Sequence, residues 1–184
     1  MVSDNLNRQV SQWTGTDDTT GVTGEWSPTN QGSANLLDIQ DNYYDSTGTT
    51  SGIGDSNLTF TIQHPDNNSA DDRVTQNLYD GRDREVASKD GVRMSSGTPY
   101  PTGETDGVHR PIVYSVLDNL GEVSRVYQYD GDMIPLGDFA TAAGTDAVPT
   151  VHAGAARALS LAGYDDQGRA YVSSQLSVDQ TYGL

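Results

Sequence analysis

The sequence predicts an all-β protein, specifically a single jelly-roll or Greek-key β-barrel (a sandwich) with long polar loops. Turn-forming residues interrupt the chain at short intervals, and the runs between them are too short for most helices. Several runs alternate apolar and polar residues, which is typical of a strand with one buried face. We expect about eight strands, and the sequence lacks the repeated amphipathic helices of a parallel α/β fold. The turn-rich segments are 14–24, 45–57, 64–72, 95–107 and 144–149.

In the first half of the chain, residues 57–63 give the clearest strand. Leu58, Phe60 and Ile62 alternate with polar residues, so one face of this strand is apolar and the other is polar. Residues 34–44 are ambiguous, because their apolar residues are spaced loosely enough for a short helix as well as a strand. We expect part of this segment to be a strand.

The second half contains the hairpin signals. The strongest lies at 110–129, where two arms rich in β-branched and aromatic residues flank a turn, and Gly121 can take the positive φ of a bulged turn. The first arm is apolar almost throughout, which indicates a strand covered on both faces or a subunit contact. In 85–94, Asp90 and Gly91 stand between two short runs and predict a tight two-residue hairpin.

Residues 158–178 repeat the plan of that hairpin, with Asp165–Gly168 in place of Asp118–Gly121 at the corner. The similarity is one of topology, two hairpins with an Asp-x-x-Gly corner, and is too weak to be called a sequence repeat. The Ala-rich segment 153–163 suits a short helix as well as a strand, and we expect a strand for part of it.

Length and composition fit one folded domain spanning residues 1–184. A chain of this length can bury about 70% of the surface that it exposes when unfolded, and its aromatic and β-branched residues are gathered in distinct runs. It has no cysteine, which excludes disulfides, thiolate metal sites and cysteine nucleophiles. The first residues contain no apolar signal region, and no segment reaches the ~18 apolar residues of a membrane span. We therefore expect a chain that is made in the cytoplasm and not inserted in a membrane.

Charge is the most unusual property of the sequence. The formal net charge is −16, 22 of the 26 acidic residues are aspartates, and Lys89 is the only lysine. Such a charge repels itself in a compact state, but at molar salt the screening length falls to about 3 Å and the repulsion nearly vanishes. The composition therefore indicates a protein from a halophile. It also argues against direct binding of nucleic acid or anionic lipid, because the nine arginines are scattered rather than clustered.

No catalytic, cofactor or metal motif is recognisable in the sequence. His64, His109 and His152 stand alone, so a zinc site would have to be assembled from three distant loops, and each histidine is interpreted as structural. Serine never occurs in a nucleophile-elbow motif, and the glycine-rich segment 48–56 lacks the lysine and the following helix of a phosphate-binding loop. We therefore expect no enzyme activity, no catalytic, cofactor-binding or metal-binding residues, no cofactor and no small-molecule substrate.

The segment 127–139 places Asp130, Asp132 and Asp138 close together. Three carboxylates in so short a stretch are compatible with a cation site, an acid/base pair or a solvated turn. A calcium loop needs about six or seven converging oxygens, and the spacing here stops after Asp130-Gly131-Asp132. A glycosidase pair needs one acid that differs from its neighbours by a raised pKa, and nothing in the sequence distinguishes one. Close aspartate pairs recur along the chain, so the solvated turn is the favoured interpretation.

The aromatic residues suggest a different hypothesis, a platform on which sugars stack. Most of them, however, lie in predicted strands beside apolar residues, where tyrosine ordinarily packs. A place in the core or in an interface is therefore the favoured interpretation. The residues concerned are Trp13, Trp26, Tyr43, Tyr44, Tyr100, Tyr114, Tyr127, Tyr129, Tyr164 and Tyr171.

The Asp-rich and Lys-poor composition, the absence of cysteine and the density of strands together resemble one family. The chain is similar to the smaller of the two major capsid proteins of tailless icosahedral haloarchaeal viruses with an internal membrane, the sphaerolipovirus group. The resemblance covers the whole chain in length, charge and strand density, including the polar start at 1–13 and the hairpin at 111–129. It involves no diagnostic motif.

This resemblance implies a single vertical jelly roll in the capsid shell of a virion, made in the host cytoplasm. Such subunits associate with copies of themselves and with a second, larger capsid protein of related fold, and form pseudo-hexameric capsomers around an internal membrane. The resemblance implies neither catalysis nor a prosthetic group. The alternative from another class is a carbohydrate-binding or adhesive β-sandwich module of a haloarchaeal surface or virion spike. Such a module would place several Tyr or Trp side chains on one exposed face.

Overall fold

A computed structural model describes the protein at residues 1–15, 36–46, 52, 54–66, 71–92, 110–140 and 152–177. These residues form β-strands and short 3-10 helices, which confirms the predicted all-β class. No helix in these ranges is long and apolar enough to cross a membrane. The 3-10 helices span Leu136–Phe139 and Ala153–Ala155. The strands are β1 (Val2–Ser3), β2 (Gln9–Gly15), β3 (Leu36–Tyr44), β4 (Leu58–Gln63), β5 (Arg73–Tyr79), β6 (Glu85–Val92), β7 (Pro111–Leu117), β8 (Val123–Asp130), β9 (Ala156–Tyr164) and β10 (Ala170–Ser177).

The strands follow one another in the sheet in the same order as in the chain, from β1 to β10, with antiparallel pairing. A Greek key or jelly roll instead places some strands beside partners that are distant in the chain. Among the ten described strands the order contains no such exchange, and these strands do not close into a barrel. The all-β class is therefore confirmed, whereas the jelly-roll barrel is not. This simple order agrees with the general tendency of consecutive strands to pair with each other.

The strands divide between two compact units of the chain. The first unit comprises residues 1–74 and 93–100, and the second comprises 75–92 and 101–184. Strands β1 to β4 therefore belong to the first unit and β6 to β10 to the second, and the division falls within β5.

In the first unit, β4 supplies most of the buried apolar surface. Phe60 and Ile62 are buried and alternate with the less buried Thr61, as the period of two predicts. Val74 is buried as well. The ambiguous segment 34–44 is resolved as a strand, since β3 covers most of it.

The second unit holds the larger core. The hairpins predicted at 110–129 and 158–178 are confirmed as β7–β8 and β9–β10, and Gly121 has the expected positive φ of 86°. The rings of Tyr129 and Phe139 meet edge to face, with their centroids 5.0 Å apart. The buried residues of this core are Ala87, Ile112, Tyr114, Val116, Tyr127, Tyr129, Ile134, Leu136, Phe139, Ala156 and Leu159.

The tight hairpin predicted at Asp90 and Gly91 is wrong. Strand β6 continues through both residues, although Gly91 has a φ of 73°. The preceding residues Ala87 to Lys89 pair with β7. Pairing with a neighbouring strand thus outweighs the local turn preference of the Asp-Gly pair.

Turns of one kind recur between the strands. The connections β1–β2, β5–β6, β7–β8 and β9–β10 each begin with an aspartate that exchanges backbone hydrogen bonds with the fourth and fifth residues of the turn. The fourth residue has a positive φ, and one oxygen of the aspartate side chain accepts the N–H groups of the third and fifth residues. This geometry is a hairpin turn with a bulge. The first and fifth residues are Asp4 and Arg8, Asp80 and Arg84, Asp118 and Glu122, and Asp165 and Arg169.

Candidate functional site

Two aspartates of β3 are brought to the same face of the sheet by a β-bulge. Asp38 and Asp41 are three residues apart, a separation that places side chains on opposite faces of a regular strand. The register of β3 shifts opposite Gln12 and Trp13 of β2. The extra residue Ile39 reverses the alternation, so that the carboxylates of Asp38 and Asp41 lie on one face.

His64 joins these carboxylates from the adjacent strand. Its backbone N–H donates to the carbonyl of Ile39 at 3.1 Å, which extends the pairing of β3 with β4 by one residue beyond Gln63. One potential ligand atom from each of Asp38, Asp41 and His64 lies within 4.8 Å of the others. Backbone pairing therefore fixes an imidazole beside two carboxylates.

Both nitrogens of the His64 ring face carboxylates. Nδ1 lies 2.8 Å from Oδ1 of Asp72, whose side chain is only 3% exposed. Nε2 lies 3.5 Å from Oδ2 of Asp41, is shielded from solvent, and has no hydrogen-bond partner among the residues that the structure describes. We call Asp38, Asp41, His64 and Asp72 the His64 cluster. The side chains of His64 and Asp41 are 19% and 27% exposed, so solvent reaches this cluster.

The His64 cluster carries an excess of negative charge in a partly desolvated place. Burial raises the pKa of Asp38 to about 6, and the negative charge of Asp41 adds to the rise. Burial alone would lower the pKa of His64, but the hydrogen bond to Asp72 and the surrounding carboxylates outweigh it, and the pKa is raised. Tyr43 donates its hydroxyl to Oδ2 of Asp41 at 3.4 Å, and burial together with this carboxylate raises the pKa of Tyr43 to about 12.

The three aspartates of segment 127–139 do not converge on one point. Each carboxylate contacts a different group, so a cation site shared by the three is not formed. The contacts are Asp130 with Arg157 at 2.9 Å, Asp132 with the backbone N–H of Arg110 at 2.9 Å, and Asp138 with His152 at 2.8 Å.

The same segment covers the only lysine of the chain. Lys89 is fully buried, and its Nζ donates to the carbonyls of Gly131 at 2.7 Å and Ile134 at 2.8 Å. Glycine is required here, because a Cβ at position 131 would lie 2.5 Å from the carbonyl oxygen of Arg110. In the sequence, Lys89 stands out only as the single lysine of the chain. The signal that places it inside is its position in β6, two residues after the buried Ala87.

Strand β10 ends the sheet and is exposed on both faces. No further strand covers its outer edge in the described part of the chain. All side chains described in β10, at residues 170–176, are exposed, and Tyr171, Val172 and Leu176 are exposed to 72%, 47% and 48%. The strand contains no charged residue. It therefore presents an uncharged, partly apolar edge to solvent.

Of the eight candidate aromatic residues in the described ranges, three are buried, one is exposed, and Trp13, Tyr43, Tyr44 and Tyr164 are half-buried. Tyr114, Tyr127 and Tyr129 are buried in the core of the second unit. Within the described ranges, Tyr171 is the strongly exposed aromatic residue, so these ranges form no platform of several aromatic rings. Other candidates named from the sequence, His109, Trp26 and Tyr100, lie outside the described residues.

The chain matches no protein-family model, no curated protein and no solved structure. Its function has to be inferred from its own chemistry. The two features that offer such chemistry are the His64 cluster and the exposed strand β10.

Proposed function

We propose that this chain is a structural subunit that assembles with copies of itself through β10. The observation that supports the proposal is the exposure of every described side chain of β10, on both faces of a strand that ends the sheet. Such a strand has backbone donors and acceptors along its outer edge that a strand of another chain can pair with. Assembly, rather than catalysis, is the function that this geometry serves.

Charge favours a second copy as the partner of β10. The whole chain carries −16, so two copies repel each other wherever acidic surfaces meet. Strand β10 has no acidic residue, and a two-fold axis places the same uncharged strand against itself in antiparallel orientation. In that contact Tyr171, Val172 and Leu176 lose part of their exposure to water, which stabilises the pair.

The sequence of β10 also lacks the usual protection of a free edge. Edge strands that stay solvent-exposed are commonly protected from pairing with other chains by proline or by charged residues, especially lysine. Residues 170–177 contain none of these. A strand of this kind promotes aggregation of a monomer at high concentration, whereas in a subunit of a larger assembly it provides a contact with the next subunit.

The resemblance described above gives the proposal a more specific form. In this form the chain is a capsid protein of a halophilic archaeal virus and lies in the virion shell beside copies of itself and a larger β-barrel capsid protein. The acidic, lysine-poor composition supports the saline setting. Purified particles should then contain the chain in many copies, which quantitative mass spectrometry measures; its absence from the particles would contradict the specific form alone. The carbohydrate-binding alternative gains no support from the described residues, whose exposed aromatic group is Tyr171.

Self-association is tested by sedimentation equilibrium in molar KCl over a wide range of protein concentration. The wild type should associate reversibly, and Val172→Asp or Leu176→Asp should weaken the association at least tenfold. Leu120→Asp is the matched control, because Leu120 is 79% exposed in the β7–β8 turn and the change adds the same charge; it should alter the association less than twofold. A wild type that stays monomeric throughout, or β10 variants that associate like the wild type, would overturn the proposal.

A further inference from the structure

The His64 cluster combines ligand atoms that zinc prefers. It offers one imidazole nitrogen and two carboxylates, with one atom from each within 4.8 Å of the others. Zinc is bound in proteins by histidine nitrogen together with aspartate or glutamate oxygen. We propose that Asp38, Asp41 and His64 bind one divalent transition-metal ion of the Zn²⁺ type, and that Asp72 positions the histidine.

The distance between His64 and Asp41 fits two ligands of a single ion. At 3.5 Å, the contact between Nε2 and Oδ2 is longer than a typical N–H···O hydrogen bond, which spans about 2.7–3.2 Å. Two ligands bound at ~2.1 Å to a tetrahedral zinc ion lie about 3.4 Å apart. An ion between these two atoms therefore requires little rearrangement, and a carboxylate oxygen of Asp38 lies within 4.8 Å of a ligand atom of each of the other two residues.

Asp72 has the place of the carboxylate that commonly supports a metal-binding histidine. It accepts a hydrogen bond from Nδ1 of His64 at 2.8 Å and is almost fully buried. A proton held on Nδ1 leaves the lone pair of Nε2 directed at Asp41, and a metal-binding histidine usually donates its other N–H to such a carboxylate. The buried Nε2, without a hydrogen-bond partner in the described ranges, is the atom that points to a ligand.

The β-bulge in β3 is the second argument for a bound cation. It brings Asp38 and Asp41 together on one face, where a regular strand would separate them. Bulges often re-aim side chains beside functional sites. A singly charged imidazolium neutralises one of these carboxylates, whereas a divalent ion neutralises both.

The ligand set also discriminates between ions. Calcium takes about six to eight oxygen ligands, and magnesium keeps several of its waters and prefers oxygen. Three ligands that include a nitrogen suit Zn²⁺ better than either. Because His64 and Asp41 remain partly exposed, water can complete the coordination.

Isothermal titration of the full chain with Zn²⁺ tests the proposal, after removal of bound metal with a chelator and in molar potassium nitrate. The wild type should bind one Zn²⁺ per chain. Asp38→Asn and His64→Gln should each weaken binding at least tenfold, and Asp72→Asn should weaken it about 10-fold to 100-fold. Circular dichroism of each metal-free variant checks that the fold is kept; Asp38→Asn removes a like charge and should fold at least as well as the wild type.

His152→Gln is the matched control, because His152 has the same contact with one carboxylate, Asp138 at 2.8 Å, but lies in the second unit. Its affinity for Zn²⁺ should stay within twofold of the wild type. Nitrogen NMR of the imidazoles supplies a second readout: Zn²⁺ should shift Nε2 of His64 and leave His152 unchanged, and Asp72→Asn, whose amide oxygen accepts the hydrogen bond from Nδ1 more weakly than a carboxylate, should weaken the preference for Nε2. Binding that is equal in wild type, Asp38→Asn and His64→Gln, or no binding at all, would overturn the proposal and leave a plain ion pair.

Discussion

Replacing Lys89 with methionine tests whether the buried ammonium group stabilises the second unit. The side chain is fully buried, and its Nζ donates to the carbonyls of Gly131 and Ile134 at 2.7 and 2.8 Å. Methionine keeps most of the apolar stem but cannot donate to these carbonyls. The variant therefore isolates the polar end of the side chain, with little change in packing.

The expected loss follows from the two hydrogen bonds. A hydrogen bond to a charged group contributes about 1.5–3 kcal/mol, so the two contribute roughly 3–6 kcal/mol. Part of this is offset, because methionine does not have to bury a charge. We expect Lys89→Met to lower the free energy of unfolding by about 2–4 kcal/mol. Lys89→Ala should lose about 2 kcal/mol more, because three methylene groups at ~0.8 kcal/mol each are removed as well.

Equilibrium unfolding in urea at constant molar KCl measures these differences, followed by intrinsic tyrosine and tryptophan fluorescence. Urea is preferred to guanidinium, since guanidinium is itself a salt and would screen the charge of this protein. Arg169→Met is the control: the side chain is 72% exposed in its ion pair with Asp165, and its loss should cost about 0.5 kcal/mol or less. Stability of Lys89→Met equal to or above that of the wild type would refute the role assigned to the buried ammonium.

Two further predictions concern pH and salt. Burial alone would raise the pKa of Asp80, but hydrogen bonds from the Arg84 side chain and from the backbone of Arg82 and Arg84 outweigh it and lower the pKa. The stability that the Asp80 carboxylate contributes is thus present above its unfolded pKa of about 3.9 and is lost as pH falls below that pKa. Asp80→Asn should lower the free energy of unfolding, measured in urea at pH 7, and the difference from the wild type should disappear towards pH 2. A difference in unfolding free energy that is independent of pH would contradict this account. The second prediction is that dialysis from molar salt to dilute buffer unfolds the protein, because the charge of −16 is then unscreened; an unchanged circular dichroism spectrum would contradict it.

The local parts of the fold were predictable from the sequence, and the order of the strands was not. β4, β7, β8, β9 and β10 follow from alternation and turn residues, which are local properties. The jelly roll was inferred from the number and spacing of strands, and neither property states which strands are neighbours. The Asp90-Gly91 error has the same origin, because β6 pairs with β7 just before these residues and continues through them.

The recurring hairpin turn has a sequence pattern that was recognised at only two of its four occurrences. Two corners of the form Asp-x-x-Gly were noted from the sequence, and the structure contains two more of the same geometry. In these, Asn7 and Asp83 take the positive φ, at 62° and 58°, in place of glycine. Asparagine and aspartate are the residues that tolerate this conformation best after glycine. A pattern that admits all three residue types would have found the four turns.

The His64 cluster was not predictable, for a physical reason. Its members lie between positions 38 and 72, and no spacing rule connects a bulge in one strand with a histidine after the next. Regular alternation would have placed Asp38 and Asp41 on opposite faces. The bulge is the feature that unites them, and bulges leave only a weak trace in a single sequence.

Several of the basic residues of this chain of charge −16 form contacts within the protein. Lys89 is buried, and Arg8, Arg84 and Arg169 each pair with the aspartate four residues earlier, so these cations serve within the protein. The remaining carboxylates give each copy an acidic surface that salt must screen before two copies can approach. In the proposed assembly, the contact is made by β10, which adds no charge of its own to this repulsion. Salt should therefore promote two steps, first the folding of the chain and then the association of copies. Leu176→Asp should distinguish the two steps, because it adds a negative charge at the proposed contact and should weaken association without changing the folding of either unit.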